Sequence, residues 1–410
     1  MFVRPALISL AFLLAVPALA QDRPILTLPG DEMETGQATT LEPVSETPLS
    51  ADQLLEPFYE QLRRTVEMPV APTGAALPGD QQILTRIAFG SCNHQSRSQH
   101  MWAQIERTDP DLFLLIGDNV YGDYGWAGDA SLASLRAAYT EQSSHPEFQS
   151  FRAQVPMMTT WDDHDYGLND AGAAFSFKSF AEDVYENYWG VPAEVRDRPG
   201  IHQSQMFGPE GERVQIILLD TRFFRSELKT NGYQDPRPPL GPYVPDENPD
   251  LEMLGDEQFA WLEGELAKPA DLRILVSSIQ VLTDAHQYEA WATLPAERRK
   301  LLRALADRNG GGLVMLSGDR HAGGIYNAAS SDYTEGGSGE QLWEITSSSL
   351  NLAFSTTEQQ TEREPDDRRV SDFIGEENFG LVEIDWPRQE LRLELRGNQG
   401  EVRASQTIGW

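Results

Sequence analysis

Cysteine is nearly missing from these 410 residues: Cys92 is the only one, so the chain can form no internal disulfide. Stability must therefore come from a packed core rather than from cross-links. Basic residues are scarce as well, 32 against 64 acidic ones, and a formal net charge of −32 opposes a nucleic acid or an anionic membrane as partner. Past the first twenty positions no apolar run reaches the roughly 20 residues that a membrane-spanning helix requires. No segment repeats at a fixed period, which excludes solenoids and arrays.

What the chain does contain begins with Arg4, an apolar stretch from Ala6 to Val16 and the small-residue exit Ala18-Leu19-Ala20. This pattern predicts a secretory signal peptide over 1–20, cleaved after Ala20, and a soluble protein that is periplasmic or secreted. A lone thiol in such an oxidising compartment is either a small buried hydrophobe or a bound thiolate. The position of Cys92, at the end of an apolar run and beside acidic loops, favours the second.

Residues 21–83 are rich in Pro, Gly, Thr, Ser and Glu and read as a mobile linker carrying one amphipathic helix. Leu54, Phe58, Leu62 and Val66 recur along that helix and would dock it on the domain or on a partner. A catalytic domain is expected over 84–410. Its apolar runs at 85–89, 112–116, 155–160, 214–219, 273–277 and 313–316 alternate with helical patterns at 99–107, 131–141, 256–267 and 295–308. That order predicts an α/β domain with at least one largely parallel sheet. Alternation at 342–346, 381–385 and 391–395 suggests a closing antiparallel sheet. The irregular segments 166–205 and 222–255 follow proposed site strands and are candidate lids.

Four loops carry the chemistry: Gly-Ser-Cys at 90–92, Gly-Asp-Asn-Val-Tyr-Gly-Asp at 117–123, Trp-Asp-Asp-His-Asp at 161–165 and Ser-Gly-Asp-Arg-His-Ala-Gly-Gly at 317–324. Each follows an apolar run, and the carboxyl ends of parallel strands open into a shared crevice. Asp118, Asp163 and Asp319 offer hard oxygen ligands, Tyr121 and Cys92 anionic ligands suited to ferric ion, and His164 and His321 a nitrogen or a proton. Together they meet the needs of a binuclear metal site. Asp162 and Asp165 read as turn-bracing residues. Asn93, Arg222 and Arg225 are candidate substrate contacts, and His94 adjoins the thiol. His100, His145, His202 and His286 read as surface or capping residues, and Trp102, Trp161 and Trp291 as core.

The Gly-Asp-x-x-Tyr block resembles that of purple acid phosphatases, and the four loops in this order resemble the alkaline phosphatase D family of calcineurin-like metallophosphoesterases. Leu-Asp-Thr-Arg at 219–222 and Leu-Pro-Ala-Glu-Arg-Arg at 294–299 extend the likeness over roughly 85–350. The resemblance implies a layered α/β sandwich with two central sheets and flanking helices. It places Cys92, Asp118, Tyr121 and His321 around Fe3+, with Asp118 bridging to a second metal. Asp163 and Asp319 stand where the wider superfamily has Asn and His, a change that favours Ca2+ or another oxygen-preferring cation there. The activity implied is exported, metal-dependent hydrolysis of a small phosphate ester by a metal-bound hydroxide. His164 would protonate the leaving oxygen. Alternatives are a phospholipase-like phosphodiesterase with an apolar lid near 166–205, and a non-catalytic exported metal- or phosphate-binding protein. Two features depart from the family: Arg4 has no arginine neighbour, as a twin-arginine export signal would need, and the chain before residue 84 is too short for an amino-terminal β-sandwich domain.

Overall fold

A computed structural model describes residues 49–232, 240–333, 339–353 and 364–410. The expected signal peptide and the first half of the expected linker lie outside the described residues. Short runs, mostly apolar, form β1 (Arg86–Gly90), β2 (Leu112–Ile116), β3 (Met157–Thr160), β5 (Val214–Leu218), β6 (Leu272–Ser277) and β7 (Gly312–Ser317), and runs of mixed polarity form β4 (Gln203–Phe207) and β8 (Gly323–Ala329). Longer strands follow as β9 (Gln341–Ser347), β10 (Asn378–Asp385), β11 (Glu390–Gly397) and β12 (Val402–Gly409). The helices are α1 (Ala51–Thr65), α2 (Met101–Glu106), α3 (Ala133–Ser144), α4 (Pro146–Gln154), α5 (Asp163–Tyr166), α6 (Lys178–Trp189), α7 (Ala193–Arg196), α8 (Gly255–Leu266) and α9 (Pro295–Ala306). None of the described helices is long and apolar enough to cross a membrane.

The strands make two six-stranded sheets, in the orders β12-β11-β10-β1-β2-β3 and β4-β5-β6-β7-β9-β8. Strands β1, β2 and β3 run parallel, as do β5, β6, β7 and β9. Side-chain parity builds the layers. Ile87, Phe89, Leu114, Ile216, Ile274 and Val314 share one core between the sheets. Their odd neighbours Ile217, Leu275 and Met315 turn the other way, onto α8 and α9, while Ala88, Phe113 and Leu115 turn onto α2 and α4. The expected layered α/β sandwich with two central sheets is therefore what the chain forms.

Several details differ from the sequence expectations. The alternating segments after 340 do not make one closing sheet. β9 runs parallel to β7 in the second sheet, whereas β10, β11 and β12 are an antiparallel meander on β1 in the first. Alternation fixes which side chains share a face but not which edge a strand joins.

The docking stripe of α1 is shifted by one residue. Leu54 and Phe58 are exposed, and the buried face is Tyr59 and Leu62 flanked by Leu55 and Val66. At 100° per residue a strict spacing of four drifts off the face, whereas steps of four, three and four stay on it.

The stretch after α1, read as linker, is extended but tied down. Ala71 N donates to Tyr188 O at 2.9 Å and Ala75 N to Arg152 O at 2.7 Å. Part of the segment expected as a first lid is likewise core, since α6 buries Phe180, Val184, Tyr185 and Tyr188. His202 and His286, expected at the surface, are buried. Trp102, Trp161 and Trp291 are buried as expected.

Candidate metal centre

The loops after β1, β2, β3 and β7 converge where the parallel strands end. Cys92 Sγ lies 3.4 Å from Asp118 Oδ2, and Tyr121 Oη donates to the same oxygen at 3.0 Å. Ligand atoms of Cys92, Asp118 and His321 all fall within 4.8 Å of one another, and so do those of Asp118, Asp163 and His164. The triads Asp162, Asp163, Asp319 and Asp163, Asp170, Glu289 meet the same limit. Asp163 thus belongs to three of these overlapping groups.

The backbone is bent to achieve this convergence. Cys92, Asp118, Asp319 and His321 have φ of 58°, 49°, 65° and 55°. Left-handed conformations cost a non-glycine residue on the order of 1 kcal/mol or more each, and a surplus of them marks a site held by its surroundings. Gly117 has φ of 114°, and a Cβ there would stand 2.7 Å from Asp162 Cβ. A Cβ on Gly318 would meet Ser91 Oγ at 2.5 Å. These glycines let the ligand loops approach.

Supporting groups fix orientation. Asp165 accepts from Asp118 N at 3.1 Å and Asp162 N at 2.7 Å, bracing the loops after β2 and β3 against each other. Asp162 accepts from Arg222 Nε at 2.6 Å and Ser278 Oγ at 2.7 Å. Both act as the turn-bracing reading expects. His321 Nδ1 donates to Leu352 O at 2.7 Å, which leaves Nε2 with its lone pair. His164 Nδ1 is 2.7 Å from Asp123 Oδ1, so its Nε2 is the nitrogen offered to the cavity.

Whether this donor set suits a cation can be tested on Asp118. The residue is 1% exposed, and its Oδ1 has no hydrogen-bond partner. A bare carboxylate oxygen in the interior costs several kcal/mol unless a positive charge meets it. Burial, with Asp118 next, pushes the Cys92 thiol well above its ordinary range, and the same two causes raise the Tyr121 phenol. Asp118 and Asp319 are raised too, chiefly by burial. Such a set is stable as an anionic cluster only around added positive charge, so the residues fit the metals. Burial works against a charged His164, but Asp163 and Asp118, then Asp123, outweigh it and lift the ring to about 11. Burial lowers His321 to about 4, which keeps it a neutral donor.

A cavity of about 220 Å3 opens on this cluster, lined by Asp163, His164, Tyr288, Asp319, Arg320 and His321 among others. Arg222 and Arg225 do not line it. Arg222 is fully buried between Asp162 and Glu289, and Arg225 Nη2 lies 2.6 Å from Glu289 Oε1. Asn93 is also buried, donating to Gln142 Oε1 at 3.0 Å. These three therefore hold the loops together instead of facing the cavity. His94 stacks on Tyr121 with ring centroids 5.0 Å apart. Asp123, Asp170 and Glu289 were not singled out from the sequence. Asp123 lies inside a quoted motif, five positions after Asp118, whereas nothing local distinguishes Glu289.

Fold and site together define a layered α/β protein with a candidate metal centre at its strand ends. A family model described as PhoD-like phosphatase matches residues 87–395, and the chain belongs to that family. The expected family resemblance holds. Alkaline phosphatase D of Bacillus subtilis (strain 168) is 24% identical over 310 residues, covering 65% of this chain and 52% of that protein. The chain thus spans about half the length of this relative. A solved structure described as "Structure of PhoD" matches with a TM-score of 0.61 at 19% identity, over 80% of this chain and 69% of that one. This likeness carries the fold.

Proposed function

We propose that the protein is an exported, periplasmic or secreted, metal-dependent phosphoric ester hydrolase, with small phosphate esters as substrates. The observation that carries this reading is the set of overlapping ligand groups that links Cys92, Asp118, His321, Asp163 and Asp319, with Tyr121 on Asp118 Oδ2 and a partnerless buried Asp118 Oδ1, beside a histidine braced by Asp123. Cys92, Tyr121, His321 and Asp118 would hold Fe3+, and Asp118, Asp163 and Asp319 a Ca2+ or another divalent ion. When bound, the two cations supply positive charge against the ester oxygens and acidify water.

The chain's own residues do the rest. Asp123 holds the Nδ1 proton of His164 and aims Nε2 into the cavity, where it protonates the departing oxygen. Asp165 and Asp162 keep the ligand loops in register.

The test is metal analysis of protein purified without chelator, paired with assays on chromogenic monoester and diester substrates. Iron with a second metal and hydrolysis of either ester class are expected. Metal without hydrolysis would leave a binding protein on the same fold, and neither would overturn the reading.

A further inference from the structure

A second compartment lies beside the ligand cavity. It encloses about 400 Å3, and its apolar wall is built from Trp126, Leu168, Phe175 and Phe177. The two spaces meet at Asn169 and Asp170, which line both, while Pro242 borders the smaller and Tyr243 the larger. At that junction Tyr243 Oη donates to Asp170 Oδ2 at 2.6 Å. Asp170 N in turn donates to Asp163 Oδ2 at 2.7 Å, so the junction is fastened to a candidate metal ligand.

The wall is ordered. Trp126 meets Phe175 and Phe177 edge to face, with centroids 5.9 and 5.8 Å apart. Among the described residues of the lining, Asp170 and Glu227 are acidic and none is basic. A phosphoryl group or carboxylate placed there would meet repulsion from both acidic side chains. An aromatic ring or an alkyl chain would cover apolar surface, and a cation would meet both carboxylates and ring faces.

Resting on the phosphoester reading above, we propose that this compartment receives the organic portion of the substrate and restricts it to uncharged or cationic apolar groups, aromatic ones foremost. Esters carrying a second anionic group are excluded. Asp170 and Tyr243 are positioning residues for that group, at the passage between the two spaces.

Phosphonates of equal phosphoryl charge test this by calorimetric titration into the metal-loaded protein. Phenylphosphonate should bind on the order of tenfold more tightly than methylphosphonate, because one ring leaves water, and 4-carboxyphenylphosphonate should lose that advantage. Phe177→Ala should bring the phenyl and methyl constants together without changing the methyl constant. Ala174→Trp, at an exposed lining position, should do the same by filling the space, which guards against a folding defect in the first variant. Glu227→Lys should restore the carboxyphenyl ligand. Equal phenyl and methyl affinities in the wild type, or an equal loss of both in Ala174→Trp, would overturn the subsite and leave the hydrolase reading standing. Binding of neither phosphonate would overturn the hydrolase reading, and the subsite with it.

Discussion

Loops of the first sheet, after β1, β2 and β3, deliver Cys92, Asp118, Tyr121 and Asp163 from backbone turns of which two, at Cys92 and Asp118, are left-handed. Loops of the second sheet deliver Asp319 and His321 in the same strained way after β7, but after β5 and β6 they deliver Arg222 and Ser278, which touch Asp162 rather than the cavity. The first sheet supplies most of the negative charge, and the second supplies the buried cation that keeps the crowded carboxylates in place. Burial and neighbouring carboxylates raise Asp162 to about 6 despite the opposing Arg222. The interior thus has a permanent counter-charge on one side and room for exchangeable metal on the other. Losing a ligand should cost chemistry, and losing the counter-charge should cost the fold.

Asp118→Asn gives the largest effect expected on the first-sheet side. Asp118 would be shared between the two ions of the proposed centre, and an amide cannot replace its charge, so hydrolysis should fall by roughly three orders of magnitude or more and bound metal should drop with it. Metal content by emission spectroscopy, with turnover measured alongside, checks this. Full activity with full metal would remove Asp118 from the centre.

His164→Ala should lower turnover by about two to four orders of magnitude while metal content stays near the wild-type level. An ester with an acidic phenol leaves without a proton and should retain more activity than an alkyl ester. Asp123→Asn should show the same leaving-group dependence with a smaller loss, of about ten- to a hundredfold, because the ring remains but its orientation is no longer held. Equal losses on both esters would assign His164 to phosphate binding instead.

On the second-sheet side, Arg222→Met removes a fully buried guanidinium and leaves Asp162 and Glu289 without their partner. Breaking a buried pair from one side costs about 3–5 kcal/mol, so the urea midpoint should fall sharply. If stability held and only KM rose, Arg222 would be a substrate contact after all and the contrast between the sheets would collapse.

This contrast also explains what could be read in advance. The candidate ligands sit within four short motifs at strand ends, where a local pattern of Gly, Asp, His and Tyr after an apolar run marks them, and the fold brings these motifs to one place. The six core strands were legible because they are buried on both faces. The outer strands β4, β8 and β12 were not, as β4 and β12 are of mixed polarity and partly exposed and β8 mixes Gly and Asn among its apolar residues, which leaves a weak pattern. Glu289 and Asp170 join the site only through tertiary approach of distant loops. Arg222 and Arg225 were placed near the site correctly, but sequence cannot tell a guanidinium that faces substrate from one that faces a buried carboxylate.

The smallest effect isolates a titrating group on the second-sheet side that lies away from the metal loops. His202 directly precedes β4, is 2% exposed, has an unpartnered Nδ1 and packs edge-on against Trp261 at 4.5 Å. Burial, and then the Arg198 charge, lower its pKa from 6.5 to about 3. The folded form therefore resists a proton that the unfolded chain accepts. Its contribution is fully present above about pH 6.5, shrinks as pH falls below that, and is gone once the folded ring also protonates near pH 3. His202→Phe keeps the ring and removes the titration, so stability at pH 7.5 should change by less than about 1 kcal/mol while the decline between pH 6.5 and 4 becomes shallower. Carboxylates contribute their own acid loss to both proteins, and the difference between the two curves is what isolates the histidine. Parallel curves would mean that His202 gains its proton in the folded state as readily as in the unfolded one, through a water or a rearrangement at Gly200.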